Sequence, residues 1–137
     1  MTPVLDASVF FAALSPTERH HRDARRLFEQ HPDDQPFLVP DLFRVEVLSA
    51  FARRGEPAAF LDTLDAIVLG PRFHAVALDA ALLRAAVHVA RSTRLRAYDA
   101  VYVALALLRD QPLLTLDSEV LQRASAAFAE LRVVPAT

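Results

Sequence analysis

The chain has 137 residues, is 53% hydrophobic, carries a net charge of −2 and contains no cysteine. That length suits one domain over 1–137 with a core of its own, and that hydrophobic share excludes a disordered chain. Disulfides and thiolate metal sites are excluded outright, and no apolar run approaches the ~20 residues of a membrane span.

Pro3-Val4-Leu5 is a short apolar run that stops at Asp6 and predicts a buried strand. Ala7 to Leu14 predicts a helix. Ser15 and Pro16 suit the N-cap and first position of a second helix, whose apolar positions Ala24, Leu27 and Phe28 recur at helical spacing among arginines. Pro32 to Pro36 is a loop, and Phe37-Leu38-Val39 a second strand closed by Pro40. Asp41 is placed to cap a third helix that Gly55 ends. A fourth helix runs from Glu56 to about Leu69, and a third strand from Phe73 to Ala77. Asp79 caps a fifth helix to about Arg91, and Tyr98 to Leu108 forms a sixth that is almost wholly apolar. Leu113 to Leu116 is a strand that stops at Asp117, Ser118 to Ala127 a last helix, and Leu131 to Val134 a last strand. Short apolar strands alternating with helices predict an α/β fold: three layers, α/β/α, around a mostly parallel sheet of four to five strands with about seven helices.

All 15 basic residues other than histidine are arginine. A GC-rich coding bias suffices to explain that, yet arginine also pairs bidentately with phosphate. A net charge of −2 by itself argues against a nucleic-acid binder, but with Asp6, Glu46, Asp99 and Asp117 set aside the remainder is net positive. The N-terminus, MTPVLDASVF, lacks the features of a signal peptide, so a cytoplasmic protein is the expectation.

Those four acids form the chemical signal. Ligands of open α/β sheets bind outside the carboxyl ends of the strands, where Asp6 and Asp117 are expected. Taken singly, either aspartate is better explained as a helix N-cap. Asp99 and Glu46 are harder to explain away. Asp99 lies in AYDAVYVALALL with uncharged neighbours Tyr102, Val103 and Ala106. Glu46 has Leu42, Phe43, Ser49 and Ala50 at helical spacing. A carboxylate on an apolar face needs a partner or must take up a proton. If the four share a pocket, two carboxylates about 4 Å apart repel by about 4 kcal/mol at an effective dielectric of about 20. A hard divalent ion, Mg²⁺ or Mn²⁺, relieves that repulsion best. The five histidines show no zinc-binding spacing.

The segments VLDASVFFAAL, FRVEVLSAFARRG, LRAYDAVYVALAL and PLLTLDSEVL carry a family resemblance across nearly the whole chain. In them the sequence resembles the PIN-domain ribonucleases, and specifically the VapC-type toxins of toxin–antitoxin pairs. The resemblance implies a PIN-like fold and an Mg²⁺- or Mn²⁺-dependent endoribonuclease. Asp6, Glu46, Asp99 and Asp117 would be its catalytic, metal-holding acids. Asp6, Asp99 and Glu46 would touch the metal, and Asp117 would act through water or serve a second ion. Ser8 resembles a hydroxyl that supports the metal, and Thr115 the polar residue of a T-x-D motif. The family's glycine before the fourth strand is replaced by Asp110-Gln111-Pro112, and the first motif reads DAS where DTS or DSS is commoner; neither change removes a ligand.

The resemblance also implies an RNA substrate, products with 5′-phosphate and 3′-hydroxyl ends, a small VapB-like antitoxin partner and a homodimer. Arg91, Arg94 and Arg96, just upstream of Asp99, are candidates to meet RNA phosphate; Arg53 and Arg54 are weaker ones. Three rivals are a PIN nuclease of RNA processing without an antitoxin, a receiver or phosphatase-like domain, and a non-catalytic binding scaffold. The second needs a lysine that this chain lacks.

Overall fold

A computed structural model of the chain describes residues 2–135. Five short strands build one sheet: β1 (Val4–Leu5), β2 (Phe37–Pro40), β3 (Phe73–Val76), β4 (Leu113–Thr115) and β5 (Val133–Pro135). Every strand pairing is parallel and the order across the sheet is β3-β2-β1-β4-β5. Seven helices complete the described residues: α1 (Ala7–Leu14), α2 (His21–Gln30), α3 (Leu42–Arg53), α4 (Ala58–Val68), α5 (Ala80–Thr93), α6 (Ala97–Arg109) and α7 (Ser118–Ala127). The result is the expected three-layer α/β/α arrangement. None of these helices is long and apolar enough to cross a membrane.

Strand burial follows sheet position. β1, β2 and β4 are buried at every residue, as strands covered on both faces must be. β3 lies at the edge, and there only Phe73 is buried while His74 and Ala75 face solvent. The long helix α6 packs against β1, β2 and β4, which explains why Ala100 through Ala106 are all buried. On the β2–β3 side, Phe10, Phe28, Phe37, Phe43 and Phe73 join α1, α2, α3 and the sheet through ring centroids 5.0–6.4 Å apart. Such tilted and edge-on ring pairs are favoured over face-to-face stacking.

Helix ends depart from expectation at two places. Ser15 does not cap α2. It ends α1, is buried, and accepts a hydrogen bond from Arg54 through its hydroxyl. Residues 16–20 form turns, so Pro16 is not a first helical residue and α2 begins at His21. Asp41 precedes α3 with helical backbone angles and makes no side-chain cap. The expectations at Asp79 and Gly55 hold. Asp79 accepts from Leu82 N at 2.9 Å, and Gly55 takes φ +81° to close α3 with paired bonds, Gly55 N to Ala52 O and Glu56 N to Phe51 O.

Candidate metal centre

Strand order decides where chemistry can sit. From the central β1 the chain moves outward through β2 to β3, then crosses back to β4 and β5 on the other side. The carboxyl ends of β1 and β4 therefore flank a topological switch point, the crevice where open α/β sheets place ligands. Asp6 follows β1, and Thr115 and Asp117 sit at the end of β4.

Asp6 is buried and bound by hydroxyls. Its Oδ2 accepts from Thr115 Oγ1 at 2.7 Å and from Ser8 Oγ at 3.1 Å, and its Oδ1 accepts a longer bond of 3.5 Å from Ser8 N. Thr115 Oγ1 in turn accepts from Asp117 N at 3.1 Å, and Ser8 Oγ from Leu116 N at 3.4 Å. The two hydroxyls thus lock the β1 and β4 ends together around one carboxylate. Burial still pushes Asp6 above its ordinary value, against the hydroxyl donors that pull it down, and the negative charge of Asp117 adds to the rise.

Glu46 projects from α3 and receives the Tyr102 hydroxyl at 2.8 Å on Oε1. Burial pushes its carboxyl up to about 7; the Tyr102 donor opposes this, and Asp6 and Asp99 reinforce it. Tyr102 is itself raised, chiefly by burial and then by the Glu46 charge, so it remains a donor. Arg44, two residues from Glu46 and so on another side of α3, instead forks onto Asp65 of α4 at 2.7 and 2.8 Å.

Asp99, in the first turn of α6, is raised by burial and by Asp6, with Arg96 opposing. Arg96 Nε donates to Asp99 Oδ2 at 3.3 Å, and Arg96 Nη2 lies 3.8 Å from Asp117 Oδ2. Asp117 also caps α7, accepting from Glu119 N at 2.9 Å and Val120 N at 3.3 Å. Both readings of the strand-end aspartates therefore apply at once: each caps a helix and each faces the other acids.

Three acids from three segments, Asp6, Glu46 and Asp99, are thus each raised in part by the charge of another acid. Among the described residues, however, no three acidic or imidazole side chains converge tightly enough to ligate one ion directly. Each acid already has an oxygen engaged, by Thr115 and Ser8, by Tyr102, by Arg96, or by the α7 amides. The donor set nonetheless fits a hard cation. All donors are oxygens, their mutual repulsion calls for positive charge, and one cation, the Arg96 guanidinium, is already drawn between two of them. Mg²⁺ keeps several waters and binds through one or two carboxylates, so it does not demand that three converge.

The other arginines expected near the site are placed differently. Arg91 lines a separate surface cavity with Leu83, Val87 and His88 on α5. Arg94 takes φ +60° at the end of α5, and its carbonyl accepts from Arg123. Arg53 is exposed, and Arg54 lies over the Phe11 and Phe51 rings. Sequence reading missed Tyr102 as the partner of Glu46. Its signal was present: Tyr102 is three residues beyond Asp99 and so shares its helix face. Between α1 and α3 a cavity of about 380 Å³ runs along Phe11, Ala12, Val47 and Ala50 and ends on Ser8 and Glu46.

The PIN domain family profile matches residues 4–126. No curated protein matches the sequence. Among solved structures, a toxin–antitoxin complex from Klebsiella pneumoniae superposes with a TM-score of 0.72 at 16% identity, covering 99% of this chain and 98% of its own. The sarcin–ricin loop cleaving toxin VapC20 of Mycobacterium tuberculosis gives 0.75 at 20% identity, covering 96% and 99%. FitAcB from Neisseria gonorrhoeae gives 0.74 at 14% identity, covering 98% of each chain. At these identities the likeness is one of fold.

Proposed function

The chain belongs to the PIN domain family, and on that premise we propose that it is a metal-dependent endoribonuclease, the toxin of a VapBC-type pair, acting as a single domain over 1–137. The observation that carries this reading is the grouping of Asp6, Glu46, Asp99 and Asp117 near the switch point of the sheet, with Asp6, Glu46 and Asp99 each raised in part by another acid's charge and Arg96 reaching both Asp99 and Asp117. Asp6, Asp99 and Glu46 are the residues that would hold Mg²⁺ or Mn²⁺, with Asp117 acting through water or on a second ion. When bound, such an ion supplies an acidified water and charge neutralisation at phosphate.

The chain's own groups do the rest. Thr115 and Ser8 aim the Asp6 carboxylate and hold the ends of β1 and β4 in register. Tyr102 favours the ionised form of Glu46 by donating to Oε1. Hydrolysis adds water across the P–O3′ bond: the water oxygen joins phosphorus, and O3′ leaves with a proton as a free 3′-hydroxyl. Solved proteins of the same fold include a toxin–antitoxin complex and a toxin that cleaves the sarcin–ricin loop, which favours RNA and an antitoxin partner for this chain as well. The apolar cavity between α1 and α3 offers such a partner a groove that ends at the acids. Leu83 and Val87, exposed on α5, offer apolar surface for a homodimer.

The test is the Asp6→Asn variant, assayed on RNA with Mg²⁺ and expressed in a bacterial host. Cleavage is expected to fall by more than about 100-fold, beyond the loss typical of groups that only orient a metal ligand. Growth arrest by the wild-type chain is expected to vanish in the variant. Undiminished cleavage by a folded Asp6→Asn protein would sink the assignment.

A further inference from the structure

Arg96 sits at the mouth of the acid cluster in an unusual posture. Its backbone is fixed, because the α5–α6 elbow is tied at three points. Thr93 Oγ1 donates to Val89 O at 2.8 Å, Leu95 N donates to Thr93 Oγ1 at 3.1 Å, and Arg123 Nη1 donates to Arg94 O at 3.1 Å. Thr93 and Leu95 are buried, so the elbow has little freedom to move. The Arg96 side chain is by contrast 77% exposed, while the acids it reaches are shielded, Asp99 at 12% and Asp117 at 25%.

The contacts themselves are long. Arg96 reaches Asp99 at 3.3 Å and Asp117 at 3.8 Å, one nitrogen to each. The same chain makes a short two-bond fork where it dedicates an arginine to one carboxylate, at Arg44 and Asp65, 2.7 and 2.8 Å. An exposed pair at 3.3 Å contributes little, and 3.8 Å exceeds hydrogen-bond reach. Arg96 is thus held by one long hydrogen bond to Asp99 and by the charge of Asp117, with no two-bond fork to either acid.

We propose that Arg96 is a displaceable counter-ion, lodged between Asp99 and Asp117 and expelled when a divalent cation binds. The inference rests on the metal reading above. A divalent ion brings twice the charge in a smaller volume, so it outcompetes a guanidinium for the same oxygens. The pinned elbow then leaves the freed guanidinium at the rim of the site, where a phosphate must pass.

The experiment is calorimetric titration of the full chain with Mn²⁺ alone, at low salt and near neutral pH, beside melting curves in EDTA. For Arg96→Gln the Mn²⁺ Kd is expected to fall at least about fivefold, roughly 1 kcal/mol, and the metal-free melting temperature to drop. Arg94→Gln removes an equal charge two residues away without touching an acid, and is expected to change Kd by less than about twofold, because solvent screens it. A Kd for Arg96→Gln no lower than wild type, or an equal fall in Arg94→Gln, overturns the inference. If Arg96→Gln fails to fold by circular dichroism, Arg96→Lys decides. Its point charge cannot span both acids, so it is expected to bind Mn²⁺ at least about twofold tighter than wild type; unchanged binding overturns the inference. Wild-type protein that binds no Mn²⁺ overturns the metal reading and this one together. Wild-type binding with unaltered Arg96→Gln affinity overturns this one alone.

Discussion

Asp6 trades the hydration of its carboxylate for two hydroxyl donors, and one of them, Thr115, serves two masters by also accepting from Asp117 N. Thr115 is fully buried, so no water replaces its hydroxyl if it is removed. Thr115→Val keeps the shape and leaves Asp117 N without that acceptor. It is expected to cost about 1–3 kcal/mol in urea melts, with Thr115→Ser recovering most of the loss. The same change removes a donor that lowers the Asp6 pKa, so Mn²⁺ binding should move to higher pH. An unshifted binding profile in Thr115→Val would mean that the hydroxyl does not govern that carboxylate. Glu46 stands out at this scale because apolar neighbours leave it no local partner, whereas Asp99 has one in Arg96, three residues upstream. What could not be read locally was the partner of Glu46: Tyr102 lies 56 residues away and meets it only in the folded chain.

Among the elements, α1 matters most, since it carries Asp6 at its cap and Ser8 in its first turn. Its buried anchor is Phe10, whose ring meets those of Phe28, Phe43 and Phe73. Phe10→Ala is expected to cost about 3–5 kcal/mol and to lower the melting temperature by roughly 10 °C for a chain of this size. A fall of only a degree or two would show that the aromatic cluster repacks around the gap. Strands and most helices were legible because their burial repeats along the chain. The start of α2 was not. Ser15-Pro16 has the composition of a helix start, but the Ser15 hydroxyl is taken by Arg54 from the end of α3, and the chain turns until His21. A local cap preference lost to a long-range contact.

At the scale of the whole molecule, the acid cluster sets how stability answers to pH. Glu46 is raised from its ordinary 4.5 to about 7, so the folded chain holds this proton more tightly than the unfolded chain does. The resulting stability is present in full below about pH 4.5 and is lost as pH climbs through about 7. Asp6 and Asp99, also raised, act in the same direction. Asp65 is held below its ordinary 3.8 by Arg44, and its opposite contribution falls beneath the window. In EDTA the melting temperature is therefore expected to decline between about pH 5 and pH 7.5, and Mn²⁺ to reduce or reverse that decline, because a cation favours the ionised acids. A melting temperature that rises across this range in EDTA would contradict the burial of Glu46 in an acidic setting.

The sequence by itself determined that this is an α/β chain with continuous apolar strands, and it singled out Glu46 and Asp99 as charges set among apolar neighbours. Those are properties of periodicity and near neighbours, which run along the chain. Only the tertiary structure decided that β1 lies beside β4, and so that Asp6 and Thr115 share a hydrogen bond across 109 residues. It also decided that Arg96 reaches both Asp99 and Asp117, while Arg94 at the same elbow offers its carbonyl to Arg123. Strand order and elbow direction depend on which distant surfaces pack together, and no local pattern of residues encodes that.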